Sequence, residues 1–154
     1  MFSLHQQVPN FIDVGHTHDW EHIGVVVKGN DTLVRVSASQ HSGREIKSAG
    51  DSSLRMDGNH PKMIYHKDGA STHCFRFADA ADDKIENHRG VWFRGSLIDW
   101  EYGFPSTSVR DAYSTKDWGS ATISIKPDTF SSRVGAIAGD CCSGFDANFD
   151  EYLL

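Results

Sequence analysis

The stretch WEHIGVVVKGNDTLVRVSAS (residues 20–39) decides how the chain is read. It holds two apolar, β-branched runs on either side of Gly29-Asn30-Asp31, a turn signal for a hairpin. The second run alternates: Val34, Val36 and Ala38 share one face, and Arg35, Ser37 and Ser39 share the other. An antiparallel hairpin with one apolar face needs a second layer to cover it, so the chain reads as mainly β.

Working outward, the same pattern recurs. KMIYH (62–66) and THCFRFA (72–78) read as further strands around a KDGAS turn, with His73, Phe75 and Phe77 on one face. Residues 40–59 are polar and rich in Gly and Ser, and read as a long loop. The acidic stretch 79–88 reads as a solvated loop. VWFRGSLIDWEYG (91–103) holds one or two short strands, and SATISIK (120–126) alternates as another. Two helices are expected. One spans 108–114, capped by Ser106 or Thr107. The other spans 128–139, with Asp128 as cap and Gly139 as stop.

Composition narrows the function. A charged fraction of 23% and an apolar fraction of 38% fit a globular domain, and 154 residues suffice for one core, so 1–154 is taken as a single domain. No apolar run reaches the ~20 residues of a membrane helix. The net charge of −6 argues against non-specific nucleic-acid binding. The start MFSLHQQVPN lacks the basic and apolar regions of a secretory signal. Three cysteines, Cys74, Cys141 and Cys142, include no C-x-x-C pair, and adjacent cysteines rarely bond to each other. Nine histidines make metal binding worth weighing.

Three of those histidines fall in GHTHDWEH (15–22). In an extended chain His16, His18 and His22 point away from Asp19 and Glu21. A turn permitted by Gly15 would gather His16, Asp19 and Glu21 around one hard cation, Mg²⁺ or Ca²⁺. Alternatively His16 and His18, with Glu21 or His22, suit a transition metal. A polar strand end with no ion is equally compatible with the spacing. The second arrangement resembles the cupin signature, His-x-His followed by Glu, and would make the chain a metal-dependent enzyme using His16, His18 and His22 on iron or manganese. The spacing to the Glu is shorter than in cupins, and their second motif is missing.

GHTHDWE (15–21) also resembles the GHRHDWE heptapeptide of the necrosis- and ethylene-inducing-peptide-like proteins, with Thr17 in place of the arginine. Further blocks match in order. SASQHSG (37–43) resembles the family's Ser-Ala-His-Gly. GNHPKMIYHKDGASTHCFRFA (58–78) resembles its His-Pro-Lys, Tyr-His-Lys-Asp-Gly and Thr-His-x-x-Arg-Phe-Ala run. VRDAY (109–113) and DWGSAT (117–122) resemble its Leu-Arg-Asp-Lys-Leu helix and Asp-Tyr-Gly-Ser-Ala-Thr. The resemblance covers roughly residues 15–150, the C-terminal two-thirds of the family domain.

It implies a β-sandwich with flanking helices, similar to the actinoporin pore-forming toxins. It also implies a secreted, non-enzymatic cytolysin of plant-associated microbes. Such a cytolysin binds the sugar head group of glycosylinositol phosphorylceramide at the plant plasma membrane with a divalent cation, Mg²⁺ or Ca²⁺. By that resemblance His16, Asp19 and Glu21 are metal ligands, and His41 and His73 line the head-group cavity. From the residues alone, His41 reads equally as an exposed loop residue and His73 as a core-face histidine. Trp92 and Trp100 could stack on sugars or pack in a core. The family also carries an upstream region with a disulfide and a further Asp ligand, where this chain has Val8 or Pro9.

Overall fold

The computed structural model describes residues 2–4, 19–41, 43–68, 72–84, 89–119 and 121–142, with the backbone alone for 2–4, 19 and 72. Two compact units emerge, His22–Ser96 and a second made from Met1–Glu21 with Leu97–Leu154.

In the His22–Ser96 unit, the expected hairpin forms. Strand β3 (Ile23–Val27) pairs antiparallel with β4 (Leu33–Gln40), setting Ile23 opposite Ala38 and Val25 opposite Val36. The turn closes as the Asp31 N–H donates to the Lys28 carbonyl at 2.9 Å. Asp31 takes a φ of 61°, a left-handed conformation that Asp tolerates better than most residues.

Where a long loop was expected, the chain adds a third strand, β5 (Gly43–Ser48), on the far side of β4. Its sequence GREIKS carries one apolar residue, Ile46, so periodicity is weak. Its charges are those of an edge strand that resists further pairing. On the face opposite Val36 and Ala38, Ser37 and Ser39 are equally buried. Ser39 is accommodated because its Oγ accepts from the His22 N–H at 2.8 Å.

Short strands β6 (Met56–Asp57) and β7 (His60–Pro61) form a small turn. Then β8 (Met63–Asp68) pairs with β9 (Thr72–Phe77), close to the expected bounds. Strand β9 runs against β4. Val36, Ala38 and Leu54 meet Phe75 and Phe77 in one core, flanked by Ile23, Leu33, Met56, Met63 and Tyr65. The acidic segment after β9 is more than a solvated loop. Asp82 accepts two bonds from the Arg76 guanidinium at 2.7 and 2.8 Å, and Asp83 pairs with Lys62 and Arg55. The hydrogen bond from Arg76 holds the Asp82 carboxyl down at about 2.

In the other unit, β1 (Phe2–Leu4) pairs antiparallel with β2 (Asp19–Glu21). Helix α1 (Thr107–Thr115) starts at Ser106, whose Oγ accepts from the Val109 N–H at 3.3 Å, as a cap should. Helix α2 (Pro127–Ala138) ends at Gly139, with φ 52°. Its start differs from expectation. Pro127 takes the first turn, where a missing N–H costs nothing, and Asp128 falls inside the helix instead of capping it.

Two expected strands are absent among the described residues. Within 91–103 a turn wins: the Asp99 carboxylate accepts from the Glu101 and Tyr102 N–H groups at 2.9 and 2.7 Å. Gly103 then closes it, where an added Cβ would lie 2.6 Å from the Asp99 backbone. Residues 121–126 bury Ile123 completely, but bend into α2 as Thr129 Oγ1 donates to the Ile123 and Lys126 carbonyls, each at 3.2 Å. Cys141 and Cys142 are bonded to each other, against the expectation for neighbours. The described residues are mainly β with two α-helices, as expected.

Candidate functional site

The expected site residues divide among regions. His16 and His18 lie outside the described residues, and so does the turn proposed after Gly15. The backbone of Asp19 opens β2, paired with Leu4, and Glu21 closes it, paired with Phe2. Glu21 is 4% exposed. A carboxylate taken out of water to that extent needs a charged or hydrogen-bonding partner.

Between them, Trp20 turns out to be a packing residue that sequence reasoning passed over. Its indole meets the edge of the Trp118 ring at 4.9 Å and that of Tyr113 at 6.1 Å. Trp20 thereby packs β2 against the end of α1 and the segment after it. The aromatic content of 113–118 was a usable signal. Trp100 packs on Phe104 and under Arg110, while Lys62 sits over Trp92 at 5.1 Å.

The other expected residues belong to the His22–Ser96 unit. His41 follows β4, in the connection between the paired residues Gln40 and Gly43. Its φ is 51°, an uncommon conformation for a residue with a side chain. From there its Nε2 reaches the Asp68 carboxylate at 3.2 Å, at the end of β8. Asp68 was not singled out from sequence, because the contact spans two hairpins.

His73 takes the opposite face of the β8–β9 ribbon from Cys74, because neighbouring strand positions alternate. There it stacks on Tyr65, with ring centroids 5.4 Å apart and planes within 14°. Tyr65 in turn contacts Phe75. The arrangement therefore joins His41 to Asp68, and joins His73 to the end of the core.

Comparison with known proteins bears on these elements. The family described as Necrosis inducing protein (NPP1) matches residues 2–136. The chain belongs to the necrosis-inducing protein family. A Phytophthora capsici relative, NLP effector protein 10, is 28% identical over 124 residues, covering 78% of this chain and 47% of that protein. Necrosis-inducing protein NPP1 of Phytophthora nicotianae is 29% identical over 126 residues, covering 79% and 48%. The chain thus spans about half the length of the curated relatives it matches.

Solved structures of necrosis-inducing proteins share the fold. One described as a toxin fold for microbial attack and plant defence matches with a TM-score of 0.62 at 26% identity, covering 84% of this chain and 56% of that one. NLPPya in complex with glucosamine matches at 0.61 and 26%, covering 82% and 54%. NLPPya in complex with mannosamine matches at 0.58 and 28%, covering 75% and 50%. The actinoporin-like sandwich expected from the motifs is the fold of these necrosis-inducing toxins. The family match favours the necrosis-inducing reading over the cupin one.

Proposed function

We propose that this chain carries the head-group recognition part of a secreted, necrosis-inducing cytolysin that acts on plant plasma membranes without catalysing a reaction. The observation that supports it most is the family match over residues 2–136, which contains the GHTHDWE heptapeptide. The amino sugars held by two NLPPya structures support a glycan ligand. The proposed membrane target is glycosylinositol phosphorylceramide.

A divalent cation belongs to this reading. His16, Asp19 and Glu21 would hold it. One imidazole and two carboxylates within six residues make an oxygen-rich set suited to Mg²⁺ or Ca²⁺. The burial of Glu21 fits, since an oxygen ligand screened from bulk water interacts more strongly with an ion. When bound, the cation supplies positions at which sugar hydroxyls can replace water. The chain's own groups do the rest. His41, held by Asp68, offers a ring nitrogen for a sugar hydroxyl. His73, backed by Tyr65, offers another. No helix among the described residues is long and apolar enough to cross a membrane, so membrane contact is assigned to surface loops.

The test is dye release from vesicles. Release is expected from vesicles containing plant glycosylinositol phosphorylceramide with Mg²⁺ or Ca²⁺ present. It should vanish in phosphatidylcholine vesicles and in Asp19→Ala. Undiminished release by Asp19→Ala refutes the cation site. Binding to the vesicles without release keeps head-group recognition and removes lysis from the reading.

A further inference from the structure

The residue that secures His41 belongs to a larger donor cluster. His41 Nε2, Asp68 Oδ2 and Cys74 Sγ all lie within 4.8 Å of one another. The imidazole and the carboxylate are 3.2 Å apart, and the sulfur is 3.9 Å from the same carboxylate oxygen. His66 adds a fourth donor against the sulfur, its Nε2 3.4 Å away.

The fold produces this convergence. Cys74 pairs directly with His66 across the β8–β9 ribbon, and Asp68 follows His66 by two positions, on the same face. His41 arrives from the separate β4–β5 hairpin. Cys74 is buried, while His41 and Asp68 are exposed and leave the cluster open to solvent from one side.

We propose that His41, Asp68 and Cys74 form a binding site for a thiophilic divalent cation, with Zn²⁺ as the best match. A nitrogen, a carboxylate oxygen and a sulfur are the three ligand types zinc accepts, and sulfur selects it over Mg²⁺ or Ca²⁺. Size agrees as well. Zinc bonds of about 2.0–2.3 Å in a tetrahedron set ligand atoms roughly 3.3–3.8 Å apart. The N–O and S–O separations, 3.2 and 3.9 Å, lie at the two ends of that range, and with all three atoms within 4.8 Å of one another a shift of the exposed His41 ring closes the set.

Without an ion, Cys74 Sγ donates its proton to Asp68 and accepts from the His66 ring. A cation replaces the thiol proton, which passes to solvent, and takes the Nε2 lone pair of the His41 ring whose one proton sits on Nδ1, so that nitrogen, oxygen and sulfur share one partner. Three protein ligands leave the fourth position to water or to His66. This site shares no ligand with the proposed His16, Asp19 and Glu21 set; it uses His41 through the ring nitrogen that faces Asp68, and its readout needs no membrane.

The experiment is cobalt titration of the chelator-treated, reduced chain, followed by zinc competition. One equivalent of Co²⁺ should give a sulfur-to-cobalt charge-transfer absorption, abolished by stoichiometric Zn²⁺. Cys74→Ser should lose that absorption. His41→Asn, which retains tolerance for the left-handed backbone, should weaken zinc binding by more than about tenfold. Asp19→Ala and the double variant Cys141→Ser, Cys142→Ser should keep both, which separates this site from the heptapeptide and from the vicinal cysteines. Near-ultraviolet circular dichroism confirms that each variant is folded. An unchanged zinc affinity in folded Cys74→Ser, or no charge-transfer absorption in the parent chain, overturns the proposal.

Discussion

Residues 23–77 and residues 91–126 carry comparable apolar content in short runs, and they end up quite differently. The first segment becomes strands that build a core: Val36 and Ala38 are fully buried and Phe75 and Phe77 nearly so, while Val25 and Val27 on the edge strand stay about half exposed. In the second, Phe93 is 70% exposed, Leu97 98% and Tyr102 81%, and no strand forms among the described residues. Local pattern is similar in both; what differs is pairing. Every long strand of the first segment has a neighbour within reach through a short connection. The run 91–103 is instead folded back by the Asp99 carboxylate, which takes the N–H groups that a partner strand would have used.

Three perturbations test that contrast. The largest effect belongs to the core of the first segment. Phe75→Ala should cost about 3–5 kcal/mol of unfolding free energy by leaving a cavity against Val36, Ala38 and Leu54. Urea denaturation followed by tryptophan fluorescence would measure it. A loss near zero would mean that β9 does not pack on β4.

Of intermediate size is the link from β9 to the acidic segment. Asp82→Asn should lower stability at neutral pH by roughly 1.5–3 kcal/mol, the scale of hydrogen bonds to charged groups. Its pH dependence has a definite sign. The Asp82 carboxyl is depressed from 3.8 to about 2 on folding, chiefly by the hydrogen bond from Arg76. The contribution is therefore complete above about pH 4 and is lost as pH falls through about 2. Parent and variant denaturation midpoints should converge across that window. A gap persisting unchanged to the acid end would remove Arg76 as the cause.

The smallest effect belongs to the second segment. Leu97→Ser should change stability by less than about 0.5 kcal/mol, since the side chain is already in water. A loss comparable to that of Phe75→Ala would show that Leu97 is covered in solution and would dissolve the contrast.

How much of the site could be read in advance varies by residue. The heptapeptide GHTHDWE and the blocks after it carried the family unaided, because their order along the chain is itself information. His73 could be placed beside Phe75 and Phe77 from strand alternation, while its stacking on Tyr65 needed the register of the folded hairpin. Asp68 and Cys74 could not be joined to His41 that way. Their contact depends on how one hairpin meets another, and 27 residues separate His41 from Asp68. Strand β5 escaped notice for a related reason: its partner β4 supplies the burial that GREIKS does not announce.

Sequence by itself determined the family, the β-hairpin around Gly29-Asn30-Asp31 and a capped α1, with the cap at Ser106 or Thr107. Each depends on short-range geometry or on motif order, which a linear chain encodes directly. Tertiary structure alone decided that 91–103 and 121–126 form no strand, that 43–48 forms one, and which donors converge around Cys74. Those outcomes turn on partners far apart in the chain, and only the packing of one hairpin against another brings such partners within bonding distance.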